Sequence, residues 1–110
     1  MTRIVTVAGA QLGPIARSET RAQVVERLLA LMQQAKEHGA DLVVYPELAL
    51  TTFFPRWYFE AQPDVDRWFE REMPGPETAK LFGEAKRLGV GFQLGYAELV
   101  EEGGQLRRFN

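Results

Sequence analysis

Two spacings of apolar residues alternate along this chain. Residues 3–10 (Arg-Ile-Val-Thr-Val-Ala-Gly-Ala) are β-branched and small and run into Gly13-Pro14, which predicts a buried strand followed by a breaker. Thr20-Arg21-Ala22-Gln23 has the form of a capping box, in which Thr20 accepts from an orphan amide and Gln23 reaches back. Val24, Leu28, Leu31, Met32 and Ala35 then recur at helical spacing up to His38, and Gly39 sits where a left-handed C-cap belongs, so residues 20–38 are expected to form an amphipathic helix. Leu42-Val43-Val44-Tyr45 is a short apolar run without alternation and predicts a strand covered on both faces. Residues 63–72 are expected to form a short helix carrying Trp68 and Phe69, and Pro74-Gly75-Pro76 is a break. Pro76 suits the first position of a second amphipathic helix marked by Leu81, Phe82, Ala85 and Leu88 and stopped by Gly89. Val90, Phe92, Leu94 and Tyr96 alternate with Gly91, Gln93 and Gly95, giving a third strand whose thin face invites close approach by another backbone. Glu101-Glu102-Gly103-Gly104 predicts a hairpin turn, and Arg107-Arg108-Phe109-Asn110 enters the returning strand.

Strand, helix, strand in that order defines a βαβ unit with parallel strands and a right-handed crossover, so the fold class is α/β. Two such units with part of a hairpin would leave one sheet face poorly covered. Residues 1–110 are therefore expected to be a single incomplete domain, with apolar surface exposed around residues 90–109. The pattern contains no linker, repeat or low-complexity tract.

Composition narrows the function classes. Hydrophobic residues make up 45% and charged residues 25%, the proportions of an ordinary soluble globular protein. Thirteen basic against fifteen acidic residues give a net charge of -2, which supplies no electrostatic case for nucleic acid or an anionic membrane. With no cysteine and one histidine, His38, neither a thiolate nor a histidine metal site is expected within these residues. The apolar stretch near the N-terminus is shorter than the roughly 7–15 residues of a signal peptide core. No run approaches the roughly 18 apolar residues of a membrane span, and a cytoplasmic location is expected.

Glu47 is the residue whose position suggests chemistry. It follows the second strand directly, and ligands in open α/β sheets bind beyond the carboxyl ends of the strands. Among apolar neighbours it would be partly desolvated, which makes a carboxylate a better base near neutrality. An acidic N-cap or a solvated loop residue would also look like this. Residues 53–59 hold five aromatics, among them Phe53 and Phe54, which suit the wall of a small-molecule pocket and equally a hydrophobic subcore or a subunit interface. Arg56 has the fork to grip a substrate carboxylate, although an arginine in such a loop is more often a surface residue. His38 belongs to a helix end, where a cation favours the dipole. Gly9-Ala10-Gln11-Leu12-Gly13 follows a strand but has neither the dinucleotide nor the P-loop spacing.

Taken together, several stretches resemble a known family. The opening strand with Gln11 and Gly13-Pro14, the helix ending in His38-Gly39-Ala40-Asp41, and Leu42-Val43-Val44-Tyr45-Pro46-Glu47 resemble the start of the carbon–nitrogen hydrolases of the nitrilase superfamily. Residues 47–57, Met73-Pro74-Gly75-Pro76, residues 89–92, residues 94–99 and Arg107-Arg108-Phe109-Asn110 are similar to N-carbamoyl-D-amino acid hydrolases in particular. The resemblance covers essentially the whole chain, and residues 45–57 are its most specific part. It implies the N-terminal part of a four-layer α-β-β-α sandwich, with a Glu-Lys-Cys triad of which Glu47 is the general base. It also implies that the lysine and cysteine lie beyond Asn110, since Lys36, Lys80 and Lys86 all fall in helical patterns and match no triad motif. The implied reaction splits the carbamoyl group of an N-carbamoyl-D-amino acid to give the D-amino acid, ammonia and carbon dioxide. A small-molecule substrate, no cofactor or metal, and a homo-oligomer at full length are further implications.

Two other readings compete with this one. One is a relative acting on another substrate, such as a nitrilase or a β-ureidopropionase. The other is a non-catalytic remnant or interaction module, which the missing nucleophile favours and the hairpin cut off within its second strand disfavours.

Overall fold

The computed structural model describes residues 2–110. Five strands and three α-helices follow one another as β1 (Val7–Gly9), α1 (Arg21–Glu37), β2 (Leu42–Val44), a 3-10 turn (Phe54–Arg56), α2 (Gln62–Asp66), α3 (Ala79–Leu88), β3 (Gly91–Gln93), β4 (Glu98–Glu102) and β5 (Gln105–Phe109). Strands β1, β2 and β3 form a parallel sheet in that order, with Val7, Leu42 and Gly91 in one row and Gly9, Val44 and Gln93 in another. Strands β4 and β5 form a separate antiparallel hairpin. The α/β class expected from the apolar pattern is the one observed, with parallel and antiparallel sheets as in part of a nitrilase-like fold.

The helix signals act where the sequence places them. Thr20 accepts from the Gln23 amide at 3.2 Å and the Gln23 side chain accepts from the Thr20 amide at 2.9 Å, completing the capping box. At the other end Gly39 has φ 82°, its amide reaches Lys36 at 2.9 Å, and the Ala40 amide reaches Ala35 at 3.0 Å. This pair of bonds closes α1 in a Schellman motif, which needs a left-handed residue and so favours glycine. The hairpin turn is Gly103-Gly104, both at positive φ, the conformation that matches the twist of a two-residue connection.

Burial follows the pleat. Ala8, Val43 and Phe92 occupy one row of the sheet and face α1 and α3, in a core built on Val24, Val25, Leu28, Met32, Leu81 and Val90. The neighbouring rows face away, and Val7 and Val44 are 55% and 36% exposed. Strand β2 is thus covered on one face only, and β1 is an exposed strand at the sheet edge; both had been expected to be buried. The physical reason is one of layers, since both packed helices lie on the same side of the sheet. Exposed apolar side chains accordingly concentrate in Ile4, Val5 and Val7, with Leu106 and Phe109 the large ones in the region 90–109.

Several boundaries differ from the sequence pattern: β1 is limited to Val7–Gly9 of the expected 3–10, and Glu101 and Glu102 belong to β4 rather than to the turn. Helix α2 ends at Asp66, and Trp68 and Phe69 lie in the turns that follow, with Glu70 bridging to Glu98. Helix α3 starts at Ala79 rather than at Pro76, because residues 76–78 form a turn in which the Thr78 hydroxyl accepts from the Gly75 amide at 2.7 Å. Strand β3 is limited to three residues, beyond which the chain continues along the loop after β2, with the Gly95 carbonyl accepting from Ala49 at 3.0 Å.

Leu28 is fully buried between α1 and the sheet, so Leu28→Ala should cost ~2–5 kcal/mol of stability. Thr20→Ala removes one capping bond and should cost about 1 kcal/mol. Urea unfolding of both variants checks this ordering, and equal losses would contradict the assigned core.

Candidate active site

The loop after β2 is pinned from several sides before it reaches Glu47. Tyr45 is buried, its amide donates to the Gln93 carbonyl at 3.1 Å, and its hydroxyl donates to the Leu28 carbonyl at 2.7 Å. Burial pushes the Tyr45 phenol well above its ordinary range, so it stays a neutral donor. Leu48, Ala49 and Leu50 are buried, and Leu48 holds φ at 48°. A left-handed leucine is a strained backbone of the sort that persists only where surrounding contacts over-determine it. Gly95 supplies one such contact: a Cβ on it would lie 3.5 Å from Glu47 Cα and 3.6 Å from the Leu48 amide nitrogen. A methyl group there would make ordinary van der Waals contact with this backbone. This is the close backbone approach suggested by the glycines of the third strand.

Glu47 emerges from this turn at the carboxyl end of the central parallel strand. Its side chain is exposed, not partly desolvated, because its apolar neighbours turn inward while it faces the open side. Asn110 donates from Nδ2 to Glu47 Oε1 at 2.6 Å. A cleft of about 410 Å³ opens beside the carboxylate, walled by Phe53, Phe54, Phe69 and Phe109. A smaller cleft of about 130 Å³, also bordered by Glu47, is lined by Gly13, Pro14, Phe53 and Arg56.

The structure therefore brings Glu47, Phe53 and Phe54 together, and it separates the roles of the two phenylalanines. Phe53 is 43% exposed and borders both clefts. Phe54 is buried, stacked on Trp68 with ring centroids 6.5 Å apart, and belongs to a second small core with Leu48 and Ala97. Arg56 is exposed, with its guanidinium 5.7 Å from the Trp57 ring centre. Lys36, Lys80 and Lys86 lie on α1 and α3 and line neither cleft beside Glu47. His38 ends α1, its ring nitrogen 2.8 Å from the Gln34 carbonyl. A groove of about 540 Å³ between Arg21, Asp66, Glu70 and Glu77 is larger, but it does not include Glu47, and Arg21 and Asp66 on its wall are already paired with Glu70 and Arg108. Among the described residues no group of three or more metal-ligating side chains converges, and no helix is long and apolar enough to cross a membrane.

Sequence reasoning missed the way the hairpin closes the site. Arg108 donates from its Nε and terminal nitrogens to both Asp66 oxygens, at 2.7 and 2.8 Å. Those hydrogen bonds, with another from Gln62, hold the Asp66 carboxyl down at about 2. The signal was present in the alternation of the strand, which puts Arg108 and Asn110 on one face.

The carbon-nitrogen hydrolase family matches residues 6–110, so the chain belongs to that family. Among curated proteins it is similar to glutamine-dependent NAD(+) synthetases. That of Synechocystis sp. is 32% identical over 110 aligned positions, covering 89% of this chain and 19% of the relative. That of Xylella fastidiosa strain Temecula1 is 57% identical over 35 residues, 31% of this chain and 6% of the relative. The chain thus spans about a fifth or less of the length of these relatives. The family expected from the sequence is the one found; the relatives' names do not include N-carbamoyl-D-amino acid hydrolase.

The Asp66–Arg108 pair should make stability depend on acid pH. Asp66 is more acidic folded than its ordinary 3.8, so its contribution is complete above that value and is lost as pH falls through about 2. Urea midpoints of the native chain and of Asp66→Asn, measured from pH 6 downward, should differ at pH 6 and converge towards pH 2. A gap that is constant over this range would remove the pair from the acid response.

Proposed function

We propose that this chain is the general-base portion of an amidohydrolase that cleaves the carbamoyl C–N bond of N-carbamoyl-D-amino acids, with Glu47 as the base. The observation that carries this reading is the placement of Glu47, on a rigidly held turn at the carboxyl end of the central strand, beside a cleft walled by aromatic rings. Such a cleft suits the apolar side chain of an amino-acid derivative. Residues 1–110 are read as a single incomplete domain, whose lysine and cysteine partners are supplied by sequence after Asn110. The full-length enzyme is read as a cytoplasmic homo-oligomer.

In this mechanism the cysteine thiol, ordinarily near pKa 8.5, gives its proton to Glu47 as sulfur bonds to the carbonyl carbon. The lysine stabilises the oxyanion, and the proton passes to the departing nitrogen as the C–N bond breaks. Water then attacks the thioester-like intermediate, with Glu47 taking its proton and returning it to the departing sulfur; from an N-carbamoyl substrate this leaves a carbamic acid, which loses carbon dioxide to give the amino acid. A second reading is hydrolysis of the glutamine side-chain amide, favoured by the glutamine dependence named in the relatives. Both substrates present the same unsubstituted amino group on a carbonyl carbon to the same base. Ammonia release from N-carbamoyl-D-phenylalanine and from L-glutamine separates them, and release from glutamine alone would select the second reading.

Two outcomes are expected. The 110-residue chain by itself should release no ammonia above a buffer blank, because a base without a nucleophile forms no covalent intermediate. In an active enzyme carrying this sequence, Glu47→Gln should lower turnover about 10²–10⁴-fold with the melting temperature little changed. A variant that keeps more than about a tenth of the turnover would take Glu47 out of the catalytic role.

A further inference from the structure

A glutamate reaches its carboxylate through three rotatable bonds, and an exposed one samples many directions. A base that takes a proton from one fixed atom has to be held within hydrogen-bond reach of it. Among the described residues, the side-chain hydrogen bond that Glu47 makes is the one from Asn110 Nδ2 to Oε1, at 2.6 Å across 63 positions of sequence. The direction of this bond is set by chemistry. An ionised carboxylate only accepts, so the asparagine must turn its nitrogen towards it and its oxygen away.

Asn110 is delivered to that point by the hairpin. Successive residues of a strand alternate faces, so Arg108 and Asn110 point to the same side. Arg108 is clamped by two bonds to Asp66 at the end of α2, and Asn110 falls on Glu47 one repeat further along. The chain is thus fastened to α2 and to the loop after β2 by alternate residues, while Phe109 between them is half-exposed at the wall of the same cleft. We infer that Asn110 is a positioning residue for Glu47: its amide occupies Oε1 and leaves Oε2 as the oxygen that takes the proton. This rests on the reading of Glu47 as the base. An amide suits the task because it fixes direction without adding charge. A lysine or arginine would hold the carboxylate in an ion pair and weaken it as a base, and an aspartate would repel it.

The test is steady-state kinetics in an active enzyme carrying this sequence, with ammonia release from N-carbamoyl-D-phenylalanine or L-glutamine, whichever is turned over. Asn110→Leu keeps the size and loses the donor, and it should lower kcat about 10- to 10²-fold with KM within about twofold, the pattern of a misaligned group. Asn110→Asp keeps the shape and adds a like charge, so it should lower kcat further and move the acid limb of the pH–rate profile to higher pH. A merely structural asparagine would change melting temperature without moving that limb. Should Asn110→Leu fail to fold, Asn110→Ser, too short to span the gap, should show the same loss of kcat. Native kcat and pH profile in the folded Asn110 variants, with Glu47→Gln inactive, would overturn the inference alone. An active Glu47→Gln would overturn the base itself.

Discussion

Strand β2 has hydrogen-bonded neighbours on both edges and a helical layer over one face, and every part of the candidate site is placed relative to its end. Val43 is fully buried, and Tyr45 anchors the exit of the strand through a buried hydroxyl-to-carbonyl bond to α1. Such a bond is costly to leave unmade, because the Tyr45 hydroxyl would otherwise be buried without a partner. The strand end is therefore fixed by backbone pairing, core packing and a polar anchor together. A side chain on the next turn inherits that fixity, which a side chain on a free loop would lack.

The turn itself stores a small conformational cost. Leu48 is buried at positive φ, and the Gly95 carbonyl holds the residue after it through the Ala49 amide. The aromatic segment that follows then divides its labour. Phe54 and Trp68 fill a small core beneath the turn, with Arg67 lying 4.4 Å from the Trp68 ring centre, while Phe53 stays at the surface beside the carboxylate. Trp57 and Phe59 also pack against that core, so within the segment only Phe53 is an exposed aromatic bordering the cleft.

What could be read from the sequence follows from how local each signal is. The capping box at Thr20, the left-handed cap at Gly39 and the helix stop at Gly89 are decided within four or five residues and stand where the sequence places them, and the hairpin turns within the expected residues 101–104, at Gly103-Gly104. The three strands of the parallel sheet were legible as apolar runs, but their burial was not. Covering Val7 and Val44 depends on what lies over the second face, which no local pattern reports. For the same reason Glu47 was placed correctly at a strand end while its surroundings were read as drier than they are. The contacts of Arg108 with Asp66 and of Asn110 with Glu47 join residues 42 and 63 positions apart, and only the fold brings them together.

The hairpin turn carries a consequence for how this chain can vary. Its two glycines set the register of β5 against β4, pairing Glu102 with Gln105 and Glu98 with Phe109. A strand has a side-chain period of two, so adding or deleting one residue between the turn and Arg108 would invert every face beyond it. Arg108 and Asn110 would exchange sides with their neighbours, and the bonds to Asp66 and Glu47 would be lost. Loop lengths are usually the most freely changed feature of a protein, but here the spacing from glycine pair to asparagine is tied to the polarity of what meets Glu47. Insertions of two residues would keep the faces and shift the asparagine along the strand, so odd and even changes in length would have different chemical effects.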